Sequence, residues 1–145
     1  GKAMVALGHF FSSGVPEANV PQDGNEARVM FTTAAMYFRD PDGQFELGKM
    51  MLASGNSQDE GRQAIRMLQL AHKKGHTGAE ALIGHALVEG EFVLQDVVRG
   101  LTMLIQASER AAPDMQPWVQ QLQQEAFALA SVEQRQQAID AARSK

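Results

Sequence analysis

The sequence contains no cysteine, one tryptophan and one tyrosine, and it has no excess of positive charge. Without cysteine the chain forms no disulfide, no thiolate nucleophile and no thiolate metal site. The 13 Lys and Arg against 17 Asp and Glu give a net charge of −4, so the electrostatic footprint of a nucleic-acid-binding protein is absent. No apolar run approaches the roughly 18 residues of a membrane-spanning helix, and we predict no membrane span.

Catalytic signatures are also missing. The chain has no Gly-x-Ser-x-Gly elbow, no Gly-x-x-x-x-Gly-Lys phosphate loop, no His-Glu-x-x-His zinc motif and no dinucleotide fingerprint. We therefore predict a non-enzymatic protein without catalytic residues, metal or cofactor. The chain begins inside a helical pattern, with neither an initiator Met nor a leader segment, which we interpret as the mark of a fragment of a longer protein.

Residues 59–90 carry the clearest pattern in the chain, that of two amphipathic helices joined by a turn. Gly75 suits the left-handed residue that closes the first helix, and Thr77 with Glu80 predicts a capping box that starts the second. Each helix has one apolar stripe with helical spacing, formed by Ala64, Met67, Leu68 and Ala71 in the first and by Ala79, Leu82, Ile83, Ala86 and Leu87 in the second.

The same pattern recurs along the chain. Gly8, Gly48 and Gly84 occupy equivalent places in three first helices, spaced 40 and then 36 residues apart. The second helices repeat with steps of 37 and 36 residues. A fixed period of this size predicts stacked helical hairpins, and glycine at matching helical positions predicts close approach of helices.

These landmarks divide the chain into repeats at about 3–40, 42–76 and 77–111, each a helix, a loop and a helix. The first loop is the longest and contains Pro16 and Pro21. Residues 112–145 differ from the repeats, and Pro117 and a Ser131–Gln134 capping pair indicate two further helices there. We predict an all-α solenoid of three hairpins, residues 1–111, with a C-terminal helical cap, residues 112–145.

At these positions the sequence resembles Sel1-like repeats, which are related to the tetratricopeptide repeat. The family pattern places Leu-Gly in the first helix and spaced alanines, then glycine, in the second. Most aromatic positions of the family pattern have become Met or Leu here, so the copies are degenerate. The pattern appears as Phe45-x-Leu47-Gly48-x-x-Met51, as Ala64-x-x-Met67-x-x-x-Ala71-x-x-x-Gly75, and as Ala79-x-x-x-Ile83-Gly84-x-x-Leu87.

More narrowly, residues 25–135 resemble the ExoR family of periplasmic regulators. The resemblance implies a periplasmic negative regulator that binds the periplasmic domain of a two-component sensor histidine kinase. Two other functions are compatible with the residues: a Sel1-repeat scaffold for envelope polysaccharide or peptidoglycan machinery, and a small hydrolase using a histidine and a carboxylate. The segments that carry the resemblance are 67–71 with 74–76, 99–101, and Trp118 with 124–131.

Four residues form the predicted partner-binding set: His9, Lys49, His85 and Glu89. His9, Lys49 and His85 directly follow the equivalent glycines of the three first helices. First helices line the inner curve of stacked hairpins, so we expect these side chains to form a row that faces a protein partner. The alternative is that they are the solvent-facing polar positions that any amphipathic helix requires.

Other polar and aromatic residues have a simpler structural explanation than a catalytic, metal-binding or partner-binding role. His72 and His76 have the spacing of a helical metal pair, but Gly75 interrupts the helix between them. Asp59 and Glu60 are expected to serve as negative charge at a helix N-terminus. Trp118 is expected to anchor the core of the cap, with an interface role as the alternative.

Overall fold

A computed structural model describes residues 1–14, 22–55 and 57–144. Within these ranges the chain forms eight α-helices and no strand, and no described helix is long and apolar enough to cross a bilayer. The prolines predicted for the first loop, Pro16 and Pro21, lie outside the described residues. The helices are α1 (Lys2–Ser13), α2 (Gly24–Met36), α3 (Pro41–Ser54), α4 (Gln58–Lys73), α5 (Thr77–Glu89), α6 (Val97–Arg110), α7 (Gln116–Ala128) and α8 (Val132–Arg143).

Side-chain caps fix the start of most helices. A carboxylate or hydroxyl just before the helix accepts a hydrogen bond from a backbone N–H of the first turn, which would otherwise lack a partner. Ser131 and Gln134 form the predicted reciprocal capping box at α8. The other acidic and serine caps are Asp23 of α2, Asp40 of α3, Ser57 of α4 and Asp96 of α6.

The predicted capping box at α5 is wrong. His76 occupies the N-cap, and its Nδ1 accepts a hydrogen bond from the Ala79 backbone N–H at 3.1 Å. Thr77 is instead the first helical residue. Glu80 is nearly fully buried, and Arg110 of α6 donates hydrogen bonds to both of its carboxylate oxygens. The Glu80 carboxylate is thus bound to α6 and does not take part in a capping box. The N-cap is the His76 imidazole, one residue before Thr77.

The helices pack into two compact units, Gly1–Lys74 and Gly75–Lys145. In the first unit α1 packs on α2, α2 on α3 and α3 on α4. The core of this unit lies between these helices. Phe31 of α2 is the largest fully buried side chain among the described residues of this unit, at 2% exposure. The buried core residues are Val5, Ala27, Phe31, Ala34, Ala35, Leu47, Met51 and Ala64.

In the second unit α5 packs on α6, and both α7 and α8 pack on α6. Trp118 of α7 is partly buried against this core, as expected for an anchor of the cap helices. Where one repeat ends and the next begins stays a prediction. The buried core residues are Ala81, Val88, Leu101, Leu104, Ala107, Ala111, Val119, Ala126, Ala130 and Ala138.

Glycines permit close helix approach, as predicted. A Cβ on Gly84 would lie 2.7 Å from the Gly100 carbonyl oxygen, and one on Gly100 would lie 2.5 Å from the Gly84 oxygen. These distances are far below van der Waals contact, so the backbones of α5 and α6 touch only because both residues lack a side chain. Gly8 and Gly48 meet Phe31 and Leu68 in the same way within the first unit.

Candidate partner-binding surface

His85 lies on α5 between two carboxylates. Its Nδ1 is 2.7 Å from Oε1 of Glu89, one turn later on the same helix. Its Nε2 is 3.3 Å from Oε2 of Glu125 on α7. The His85 side chain is 21% exposed, whereas Glu89 and Glu125 are 37% and 50% exposed. The structure thus brings together two predicted site residues, His85 and Glu89, and adds a third group, Glu125, from α7.

This arrangement occupies both ring nitrogens of His85. A neutral imidazole has one N–H and donates to one carboxylate, so both contacts are hydrogen bonds only when the ring carries two protons. A histidine that serves as a general base needs one nitrogen directed at the group it deprotonates while a carboxylate holds the other. In the observed geometry both nitrogens face carboxylates, which suits a positioned polar surface better than a catalytic dyad.

Lys49 lies on α3 with a half-exposed side chain. Its Nζ is 3.0 Å from Oε1 of the buried Glu46 and 5.1 Å from the centroid of the Phe45 ring. The Lys49 ammonium group is therefore held near the surface by one ion pair and one cation–π contact.

His9 lies on α1 and is exposed. Its ring packs against Phe31 in a T-shaped arrangement, with ring centroids 5.3 Å apart and planes at 72°. Such aromatic pairs are favourable, so His9 combines an aromatic contact to the first unit's core with an exposed polar side chain.

The four predicted residues divide between the two compact units. His9 and Lys49 belong to the first unit, on α1 and α3, which contact each other. His85 and Glu89 belong to the second unit and contact each other directly. A single row through all three first helices stays a prediction, as does the role of these residues in binding.

Glu125 is the member of this cluster that sequence reasoning missed. It lies in the glutamine-rich helix α7, whose sequence does not follow the predicted repeat pattern, so the pattern does not point to it. The only available signal was the position of Glu125 in the segment that carries the resemblance to the regulator family.

The remaining candidates have structural roles. Asp59 and Glu60 lie in the first turn of α4. Each forms an ion pair with a carboxylate-to-guanidinium distance of 2.9 Å, Asp59 with Arg62 and Glu60 with Arg28. His76 is a helix cap. Across residues 1–14, 22–55 and 57–144, no group of three or more His, Asp or Glu side chains is arranged to hold a metal ion.

Two curated proteins match this chain over nearly its whole length. The exopolysaccharide production negative regulator of Rhizobium meliloti (strain 1021) is 32% identical over 138 residues, which are 94% of this chain and 50% of that protein. The protein of the same name from Rhizobium leguminosarum bv. viciae is 32% identical over 143 residues, 98% of this chain and 52% of that protein. The chain is a homologue of these regulators. It spans about half the length of the curated relatives it matches.

The fold is also found in a solved structure. A protective antigen present in uropathogenic Escherichia coli strains, which displays a Sel1-like repeat fold, superposes with a TM-score of 0.68. The superposition covers 97% of this chain and 36% of the antigen, at 18% identity. The predicted all-α fold of Sel1-like repeats is therefore confirmed. No protein-family profile matches the chain.

Proposed function

We propose that the chain is a non-enzymatic protein-interaction module of a negative regulator of exopolysaccharide production. The observation that carries this proposal is the 32% identity to two such regulators across 94% and 98% of the chain. Stacked helical hairpins present extended surfaces to protein partners, and regulation by direct binding is the function that such surfaces suit best.

The partner we propose is the periplasmic domain of a two-component sensor histidine kinase, and the location we propose is accordingly the periplasm. The regulator binds this sensor domain and restrains the kinase. Binding leaves exopolysaccharide production low, and loss of the regulator raises it, which agrees with the name of the relatives.

The proposed contact residues are His9, Lys49, His85 and Glu89. All four carry polar groups at or near the surface, and each of them contacts a neighbouring side chain. A polar group that is already ordered loses little conformational entropy when a partner binds. Glu125 joins this set because it holds the second nitrogen of His85.

A titration with matched variants tests this assignment. The chain is titrated with the purified periplasmic domain of the sensor kinase from the same organism, and the affinity is compared with that of a Lys49→Gln, His85→Gln double variant. We expect at least about a tenfold weaker affinity, or about 1.4 kcal/mol, from loss of two interfacial polar groups.

The control is a double variant of the same composition, His72→Gln with Lys73→Gln, on the second helix of a hairpin. This control is expected to bind as the parent chain does. Equal affinities for the parent and both variants would contradict the assigned contact residues. Absence of binding by the folded parent chain would contradict the partner.

A further inference from the structure

A cavity of about 260 Å³ lies against one face of helix α7. Its described lining consists of three glutamines and one phenylalanine: Gln120, Gln123, Gln124 and Phe127. These positions follow the helical spacing i, i+3, i+4 and i+7, so their side chains share one face of the helix. Glu125 follows Gln124 in sequence but contacts His85 of α5, so this α7 cavity is separate from the cluster around His85.

The glutamine amides of the α7 cavity are available to a ligand. Among the described residues, the side chains of Gln123 and Gln124 have no hydrogen-bond partner. Gln120 donates to Oε1 of Gln116 at 3.4 Å, which is longer than a typical N–H···O bond. A ligand that binds these amides therefore replaces water and breaks no strong hydrogen bond inside the protein.

Phe127 gives the cavity an aromatic wall that is held in place. Its side chain is partly buried and packs against the core of the second unit. Its carbonyl oxygen accepts a hydrogen bond from Nε of Arg135 on α8 at 2.8 Å, which anchors the end of α7. A ring that is already ordered loses little conformational entropy when a ligand packs on it.

The chemistry of this lining matches a neutral sugar. Each glutamine amide donates and accepts hydrogen bonds, as each sugar hydroxyl does, and the apolar C–H face of a sugar ring packs on an aromatic ring. The described lining has no charged side chain that would pair with an ionic ligand. A purely apolar ligand would strip water from three amides without replacing its hydrogen bonds. The volume is slightly under the roughly 300 Å³ of the smallest pockets for drug-sized ligands, which suits one or two sugar rings.

A peptide fits the same lining less well. Bound peptides commonly add a strand to a sheet edge or place the apolar face of a helix in a hydrophobic groove. The described part of the chain has no strand, and three of the four described lining residues are polar. Neither mode of peptide recognition therefore has its structural basis at this face of α7.

We propose that the α7 cavity binds a neutral sugar unit of the exopolysaccharide whose production the protein restrains. This inference rests on the proposed function, because the name of the relatives links them to exopolysaccharide production. The amides of Gln123 and Gln124 orient the sugar through its hydroxyl groups, and Phe127 contacts its apolar face. Binding of the product makes the state of the regulator depend on how much polysaccharide has accumulated.

The test is an NMR titration of the isotope-labelled chain, with no sensor kinase domain present. The probe is the set of oligosaccharides released by partial hydrolysis of the exopolysaccharide of the same organism. We expect saturable shifts of the side-chain amide signals of Gln123 and Gln124, which are identified by their loss in a Gln123→Ala, Gln124→Ala double variant. That variant is expected to bind at least about tenfold more weakly, because it lacks two hydrogen-bonding side chains.

The matched control is the Gln136→Ala, Gln137→Ala double variant on α8. Both variants replace two adjacent glutamines with the better helix former, so both are expected to fold. The control is expected to bind as the parent chain does. No signal shift in the folded parent, or equal affinities of the parent and the Gln123→Ala, Gln124→Ala variant, would overturn the proposal.

Two further outcomes separate the alternatives. Displacement of the oligosaccharides by a capped neutral peptide of alanine and serine, at a lower concentration than the oligosaccharides require, would overturn the proposal in favour of a peptide site. Because the titration contains no kinase domain, its result does not depend on the proposed partner. Oligosaccharide binding by a chain that does not bind the sensor domain would support the sugar site and contradict the partner alone.

Discussion

Replacing Gly100 by alanine should destabilise the second unit, although alanine is the better helix former. A Cβ at this position would lie 2.5 Å from the Gly84 carbonyl oxygen, 2.7 Å from Cγ2 of Val88 and 3.0 Å from the Val88 backbone nitrogen. Two of these three atoms are backbone and cannot rotate away. The helices α5 and α6 must therefore separate along an interface that buries Leu101 and Leu104 completely.

The magnitude follows from two opposing effects. Alanine in place of a helical glycine contributes about 1 kcal/mol in favour of folding. Overpacking of a well-packed core costs about 1–3 kcal/mol, and the backbone contact argues for the upper end. We expect a net loss of about 2 kcal/mol in the free energy of unfolding, which corresponds to a fall of about 4–8 °C in Tm for a chain of this size.

The assay is urea denaturation followed by fluorescence of Trp118, the only tryptophan, which packs against the core of this unit. Gly24→Ala is the matched control, because a Cβ at Gly24 meets no atom within 4 Å. That control is expected to leave the midpoint unchanged or raise it. A Gly100→Ala variant as stable as the parent would refute the close-approach argument.

Substitutions at three further positions test individual contacts by the same denaturation assay or by amide exchange. Arg110→Met leaves the buried Glu80 carboxylate without its partner and should cost about 2 kcal/mol of unfolding free energy; an unchanged urea midpoint would show that the pair contributes nothing. His76→Ala removes the cap of α5 and should cost about 1 kcal/mol, whereas His76→Asn, which keeps a capping acceptor, should cost less; equal losses would contradict the cap. Ser131→Ala breaks the capping box of α8 and should speed amide exchange in the first turn of α8. Unaltered exchange there would contradict a stabilising role of the capping box.

The features that follow from local sequence were predictable. The spacing of Gly8, Gly48 and Gly84 indicates hairpins in register, and the side chains that these glycines meet explain why no larger residue fits. The start of α8 was also predictable from sequence, because the side chains of Ser131 and Gln134 each accept a hydrogen bond from the other residue's backbone N–H. In such cases the deciding contacts lie within one helix or one repeat.

The features that depend on contacts between distant residues were not predictable. Thr77 and Glu80 have the spacing of a capping box, but Arg110, 30 residues further along, engages the Glu80 carboxylate. The contact of His85 with Glu125 likewise joins α5 to α7, which are 40 residues apart in sequence at these positions. Neither long-range pair leaves a periodic trace in a single sequence.

The central claim is that this chain acts by binding a protein partner, and calorimetric titration with the purified periplasmic domain of the sensor kinase tests it most directly. The account predicts saturable one-to-one binding with a Kd in the micromolar range or tighter. A micromolar Kd corresponds to a binding free energy of about −8 kcal/mol. No heat of binding at tens of micromolar, from a chain whose helical content is intact and at more than one temperature, would contradict it.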